Sequence, residues 1–521
     1  MREKRNSYLK TITIGQLAIG KRAPFICNAL SFVCCVLFIV LLTGCSLSKS
    51  SFNPAKKYSP SQLQKDYSIF RGALEETHPG LYWYTPKEKM DAYFQWGQEK
   101  IKDSLNEEGF RKILSYVIAK INCGHTVVRS SKAYSKYQDT TRLKIFPLSL
   151  KLWDSTAAVA ANLNRKDSVL KRGAVIKEIN HQSVPTILDT LFKYISSDGY
   201  NLTHKYQTLS NRGGFGSAYT SVFGLKENYY VDYVDSSGEE KNITVLPYDP
   251  RTDTVNRAAI ARFAKIPREE RKRQLLQSSR SLSFDSTRQV AFMDLGSFAR
   301  GLKLKRFFRQ SFKSIHKSKA KNLVIDVRGN GGGSVTNSTV LSKFIADKKF
   351  KVADSLYAYT RNSHYKNYIE NYFFNRLFML MVTKRKSDGR FHFGYFERHY
   401  FNPKTKNHFD GTVYILTGGN SFSATTLFAQ SVKEQQNVIV VGEETGGGAY
   451  GNTAWLIPDV TLPNTGVRFR LPLFRLVINK NIPKDGKGVQ PEIEVKPTVE
   501  AIRRGLDFKA EKVKALIKEH Q

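Results

Sequence analysis

The spacing of apolar positions divides the chain into stretches of different period. From residue 59 to about 122 they recur every three or four residues. Leu63, Tyr67, Phe70 and Leu74 share one face of a first predicted helix, which His78-Pro79-Gly80 ends. Phe110, Ile113, Leu114, Val117, Ile118 and Ile121 mark a later helix. It stops at Asn122-Cys123-Gly124, and His125 follows where a turning backbone lets a side chain face a cleft. Between about Phe146 and Pro247 the pattern shortens to β-like runs, and KRGAVIKEINHQSV (171–184) reads as turn, strand, tight turn and strand onset. Residues 252–285 are polar, rich in Arg and Lys, and helical or linking. Beyond them, apolar strands at Val290, Leu323, Val413 and Val438 alternate with helical stretches near 302–317, 335–346 and 424–435. That alternation predicts an α/β domain. An aromatic- and Lys-rich insertion at 359–408 interrupts it, by default a packed subdomain.

One segment stands apart from this globular pattern. Residues 25–42 (FICNALSFVCCVLFIVLL) are almost wholly apolar and follow Lys21-Arg22, the layout of an export signal. The stretch closes on Leu42-Thr43-Gly44-Cys45, which resembles the bacterial lipoprotein cleavage box, and a Ser- and Lys-rich spacer follows. The resemblance implies a signal over 1–44, lipid on Cys45 and a spacer over 45–58. Several acyl chains on one cysteine anchor durably, each buried methylene adding about 0.8 kcal/mol. The alternative is an uncleaved helix near the lower length limit for a membrane span. Either reading puts the bulk of the chain outside the cytoplasm.

Composition narrows the classes further. With 521 residues, 41% apolar and 24% charged, the chain is long enough for several domains and ordinary for a soluble globular protein. Of five cysteines, Cys27, Cys34 and Cys35 fall in the signal and Cys45 carries the expected lipid. Cys123 is left alone, so neither an internal disulfide nor a cysteine-rich metal site is expected. The formal charge of +37 drops by the signal's net +5 to +32 in the mature chain. Such a field favours anionic envelope surfaces, but a basic proteome and a solvated face are the simpler reading. No nucleic-acid-binding motif accompanies it.

Two loops carry candidate chemistry. Asp326-Val-Arg-Gly-Asn-Gly-Gly-Gly-Ser334 follows one apolar strand, and Thr417-Gly-Gly-Asn-Ser-Phe-Ser-Ala-Thr-Thr426 joins another to a helix. Glycines let backbone N–H groups approach a ligand or a developing oxyanion. The first loop lacks the P-loop Lys and full dinucleotide spacing. A Ser at a helix mouth is, by itself, most simply a cap.

Together the loops resemble those of the C-terminal processing peptidase and tricorn-core serine peptidase family. DVRGNGGGS is similar to its Asp-Leu-Arg-Asn-Asn-Pro-Gly-Gly loop, and SFSATT to its nucleophile loop. The resemblance implies an α/β, crotonase-like (ClpP/crotonase-type) core over 251–521, after an N-terminal helical region (59–140) and a PDZ-like β domain (141–250). A generic small β domain is the alternative for the last. It also implies Ser423 as nucleophile, with the backbone amides of Ala424 and Gly332 as oxyanion donors. Gly448 stands where the processing branch has its dyad Lys, so the tricorn-like branch is the better guide. Its pattern makes His125, in Cys123-Gly-His-Thr126, the base. Asp485, in Asp485-Gly-Lys-Gly-Val489, becomes the orienting carboxylate, with Glu443 and Glu444 as rivals and Gly124 leaving the auxiliary Ser position unfilled. His78 is expected to pack at a helix end, beside an aromatic run that could shape a cleft.

The expected function is a lipid-anchored serine peptidase of the cell envelope, on the outer membrane facing the periplasm. Its expected substrate is an unfolded polypeptide or a protein C-terminus, with no metal, no organic cofactor and no nucleic-acid partner. The alternatives are a non-catalytic peptide- or ligand-binding protein on the same fold, and an esterase or acyl transferase using the same Ser.

Overall fold

The computed structural model describes residues 52–519; the expected export signal and Cys45 lie outside the described residues. Pro54 onward forms one compact unit. No described helix is long and apolar enough to cross a membrane.

The helical region begins at Pro60–Thr77. Ser59 caps it reciprocally with Gln62, and Pro60 opens its first turn. Leu63, Tyr67, Phe70 and Leu74 are buried on its inner face. Lys87–Glu99 and Glu107–Ala119 follow, the latter capped by Asn106, whose side chain accepts the Gly109 N–H. Asn122 then takes φ 55°, and its carbonyl accepts the Gly199 N–H at 2.9 Å. That bond ties the turn before His125 to a loop of the next region.

The expected β domain has five strands in one antiparallel path, at 148–153, 156–162, 175–179, 229–234 and 240–245, with 182–183 beside the third. Helices at 184–192, 202–210 and 214–223 close its own core around Phe146, Phe215 and Tyr229. The polar stretch after it forms exposed helices at 254–264 and 268–279.

The α/β region is built on a six-stranded sheet in the order 280–284, 290–295, 322–326, 412–417, 438–442, 493–494. The first pair is antiparallel and the rest are parallel. Alternating residues reach opposite faces. Leu323, Ile325, Val413 and Ile415 meet the helices 304–318, 335–342 and 424–432. Val324, Tyr414 and Leu416 meet the C-terminal helix 508–519 through Val513, Leu516 and Ile517.

A second, antiparallel sheet runs 384–385, 391–392, 355–358, 474–477, 451–454, so the insertion's hairpin extends it. Its core is shared with the N-terminal helices. Phe70, Phe94 and Phe110 pack in one cluster with Phe469, Phe474 and Leu476. The short strand Val128–Arg129 also pairs with Arg468–Arg470. The helical region is therefore continuous with the C-terminal region in packing, and this brings His125 towards the α/β sheet.

Candidate active site

Strands 322–326 and 412–417 are adjacent and parallel, with Asp326 opposite Leu416. The two Gly-rich loops therefore leave the same carboxyl edge of the sheet side by side, where open α/β sheets form their clefts. The Phe422 N–H donates to the Asn330 carbonyl at 3.1 Å, and the Ser421 hydroxyl donates to the Val327 carbonyl at 2.8 Å.

Ser423 directly precedes the helix Ala424–Val432, at φ 58° and ψ −120°, and its hydroxyl makes no capping hydrogen bond. This conformation is costly for a residue with a Cβ, about 1–3 kcal/mol. It is the kind of strained strand-to-helix turn that holds a nucleophile out from the backbone. The N–H of Ala424, first in the helix, has no intrahelical acceptor. Gly332 lies against it: a Cβ there would meet the Phe422 carbonyl at 2.6 Å, the Ser423 Cβ at 2.8 Å and the Ala424 nitrogen at 3.0 Å. Gly332 also takes φ 95°, so this contact requires glycine. Its own N–H donates to Asn330 Oδ1 at 3.0 Å. Of the two expected oxyanion donors, Ala424 is thus uncommitted within its helix and Gly332 is engaged.

His125 is buried, and its ring lies 4.7 Å from that of Phe422, centroid to centroid. Its Nδ1 is 3.8 Å from Asp198 Oδ1, and neither ring nitrogen has a hydrogen-bond partner among the described residues. Asp198 is buried too. Its Oδ1 accepts the Gly124 N–H at 2.8 Å and its Oδ2 accepts the Gly448 N–H at 3.2 Å. Burial pushes this carboxyl up, but His125 and the two amides outweigh burial and hold it below the usual carboxylate range. It therefore stays ionised beside the imidazole. Gly448, at the position of the dyad Lys in the processing branch, supplies a backbone donor to this carboxylate.

The carboxylate facing His125 is Asp198, not Asp485. Asp485 is exposed, and its Oδ1 accepts the Lys487 N–H at 3.0 Å. Its loop instead buttresses the Asp198 loop, with the Gly486 carbonyl accepting the Tyr200 N–H at 3.0 Å. The rivals are committed elsewhere. Glu443 pairs with Lys509, and Glu444 accepts the Thr203 hydroxyl at 3.0 Å and the Gly488 N–H at 2.6 Å.

Sequence reasoning also missed His204 and Phe422. His204 is bonded through Nδ1 to the Gly419 carbonyl at 2.9 Å and stacks on Phe422 at 4.9 Å, so the phenyl ring contacts both imidazoles. For Asp198 the available signal was one of the four Asp-Gly pairs in the sequence, Asp198-Gly199, in a stretch that otherwise resembles a surface turn.

Ligand atoms of Cys123, His125 and Asp198 lie within 4.8 Å of one another. The thiol is poorly suited to a metal. Burial and the Asp198 charge push its pKa up, and its sulfur is bonded to the hydroxyls of Thr453 and Thr126.

Part of the chain matches a known family. Residues 289–495 match the model of peptidase family S41. This stretch is an S41 peptidase domain. The S41 domain contains Ser423 and both Gly-rich loops, while His125 and Asp198 reach it from the preceding regions. S41 peptidases are serine-type hydrolases, and by class the chain is a serine peptidase. No curated protein matches the sequence. Among solved structures, mature CPAF aligns with a TM-score of 0.61 at 15% identity, covering 88% of this chain and 97% of that one. Mature CPAF complexed with lactacystin aligns at 0.61 and 14%, covering 88% and 98%. A serine-to-alanine mutant of CPAF aligns at 0.60 and 13%, covering 85% and 94%. At such identities the likeness is one of fold.

Proposed function

We propose that the chain cleaves peptide bonds through Ser423, His125 and Asp198. The observation that carries this reading is the buried Asp198 carboxylate beside His125, held by the Gly124 and Gly448 amides next to the Phe422–Ser423 turn. Ser423 Oγ attacks the carbonyl carbon while His125 takes its proton. The oxyanion is held by the Ala424 N–H, joined by the Gly332 N–H once it turns from Asn330 Oδ1. The imidazolium, stabilised by Asp198, then protonates the leaving amine, and water releases the acyl group by the same route. The substrate proposed is an unfolded polypeptide or a protein C-terminus.

Labelling by a fluorophosphonate probe tests the assignment. Ser423→Ala and His125→Ala lose labelling, Asp198→Asn slows it by up to about 10⁴-fold, and Asp485→Asn leaves it nearly unchanged. An Asp485→Asn loss equal to that of Asp198→Asn would sink it. One observation favours a second reading, a binding protein on the same fold: the two His125 nitrogens have no partner among the described residues. Peptide binding without labelling of the unmodified protein would select that reading.

We also propose lipid attachment at Cys45 and residence at the outer membrane facing the periplasm, supported by the apolar segment and the Leu-Thr-Gly-Cys box. Cys45→Ser is expected to move the protein out of the membrane fraction. An unchanged distribution would favour the uncleaved span.

A further inference from the structure

The insertion at 359–408 packs on the core with one side only. Its longer helix, Tyr372–Val382 (YFFNRLFMLMV), is apolar almost all round, a composition that ordinarily means burial. One stripe of it is covered. Met379 is buried, and Tyr372 and Phe378 pack against the shared core, with Phe378 edge-on to Phe393 at 6.1 Å. The helix is also held at both ends: the Tyr372 hydroxyl accepts the Ser363 N–H at 3.0 Å, and Arg361 Nε donates to the Thr383 hydroxyl at 2.9 Å. The other side faces solvent. Phe373, Phe374 and Met381 are 68%, 69% and 70% exposed, and Leu377 and Leu380 are exposed as well. At about 100° per residue these five side chains fall within an arc of about 120°, opposite the packed stripe. Apolar residues scattered singly on a surface are ordinary, whereas a contiguous patch on a firmly held helix marks a contact surface.

The charge around the patch narrows what can cover it. Lys366, Arg376, Lys384, Arg385 and Lys386 lie in or beside the helix against Glu370 alone, a net +4 over residues 366–386. Arg376 on the helix, and Lys384 and Arg385 on the short strand that follows it, are exposed. Among the described residues, Lys386 is the one of these five cations with a carboxylate partner, Glu397. A second copy of the chain fits this face poorly, because a two-fold contact sets identical patches, and so two positive rims, against each other. An anionic bilayer fits both properties. Its acyl boundary takes the apolar side chains and its headgroups take the cations.

We propose that the solvent face of Tyr372–Val382 docks on the surface of an anionic phospholipid bilayer. Phe373, Phe374, Leu377, Leu380 and Met381 enter the boundary between headgroups and acyl chains, and Arg376, Lys384 and Arg385 meet the headgroups. The contact is separate from lipid on Cys45 and does not depend on it. A face this short binds reversibly, so it does not replace the anchor in the Cys45→Ser test. What it adds is orientation: attachment at one point lets the protein rotate, and a second contact fixes which side faces the bilayer.

The test uses residues 46–521, which contain the whole compact unit and lack Cys45. Sedimentation with vesicles of equal phosphatidylglycerol and phosphatidylcholine should show at least tenfold tighter binding than with phosphatidylcholine alone. The positive charge of the whole chain favours that result too, so the deciding comparison is Phe374→Ser/Met381→Ser. At unchanged charge it is expected to bind the anionic vesicles at least tenfold more weakly. Lys384→Glu/Arg385→Glu is expected to reduce the preference for anionic over neutral vesicles. A polarity-sensitive dye attached at Phe374→Cys should shift its emission to the blue on bound protein; the other thiol in this chain, Cys123, is buried. If near-ultraviolet ellipticity shows that the double serine variant has lost its fold, Phe374→Ser alone and the dye decide. Anionic-vesicle affinity that survives the serine substitutions overturns the inference, as does a dye that keeps its aqueous emission on bound protein. Dimerisation without vesicles, abolished by Phe374→Ser/Met381→Ser, overturns it in favour of a second copy. Because residues 46–521 carry no lipid, this result and that of the Cys45→Ser test stand or fall separately.

Discussion

At the scale of single residues, Ser423 combines a reactive position with a strained backbone. Its φ of 58° and ψ of −120° suit glycine far better than serine. Replacing it by glycine removes a cost of about 1–3 kcal/mol in the folded state. The glycine also loosens the unfolded chain, which returns about 0.4–1 kcal/mol of that gain. Ser423→Gly should therefore be more stable than Ser423→Ala by about 1 kcal/mol, although both lack the nucleophile. Denaturant midpoints of the two variants measure it, and equal midpoints would show that the turn is unstrained. Asp198 shows why strain and burial differ in how they can be foreseen. Its Asp-Gly dipeptide has the same local signature as Asp485-Gly, and both predict a turn. One carboxylate is buried by loops from three regions, and the other faces solvent. Nothing within a few residues of either distinguishes them.

At the scale of elements, periodicity was a good guide wherever one face of a helix or strand is covered. The inner stripe of Pro60–Thr77 and the strands at 322–326, 412–417 and 438–442 lie where their apolar spacing predicts. The glycine loops were legible for a related reason, since close backbone approach at Gly332 leaves a compositional mark. Contacts between ends of distant elements left no such mark. His78 is an example: it ends the first helix as expected, but it also links that helix to the His125 loop. Its Nδ1 accepts the Gly80 N–H at 3.2 Å, which leaves the proton on Nε2, 2.8 Å from the Thr126 hydroxyl. Burial, with help from the Arg475 charge, lowers its pKa from 6.5 to about 3. The unfolded chain therefore binds a proton below pH 6.5 while the folded protein does not. Stability from this group is complete above that pH. It falls by about 1.4 kcal/mol per pH unit as the pH drops towards 3. The difference in unfolding free energy between unmodified protein and His78→Gln, followed from pH 7 to pH 4, should shrink with that slope. Parallel profiles would remove His78 as its source.

At the scale of the whole molecule, the order of regions along the chain differs from the way they pack. The sequence separates a helical region before residue 140 from an α/β region after 251, and the S41 match begins later still, at 289. The core ignores that division. Phe70 meets Phe469 edge-on at 5.1 Å, and the buried Asp66 accepts the N–H groups of Asn464 and Thr465 at 3.0 and 2.9 Å. Val460, Leu462, Leu471 and Leu476 belong to the same cluster as Leu63, Leu74, Phe94 and Phe110. Each large side chain uncovered by removing the helices forfeits about 1.5–3 kcal/mol. Domains of ordinary stability have only about 5–15 kcal/mol in total, so uncovering half a dozen such side chains exhausts it. Residues 251–521 produced alone should therefore lack a cooperative thermal transition and near-ultraviolet ellipticity, and should bind a hydrophobic dye. The β domain, whose core is its own, is expected to be less affected by loss of the helices. A sigmoidal melt with native-like near-ultraviolet signal from residues 251–521 would show instead that the α/β region folds independently. The site would then be assembled by docking, because His125 and Asp198 both arrive from outside the region that carries Ser423.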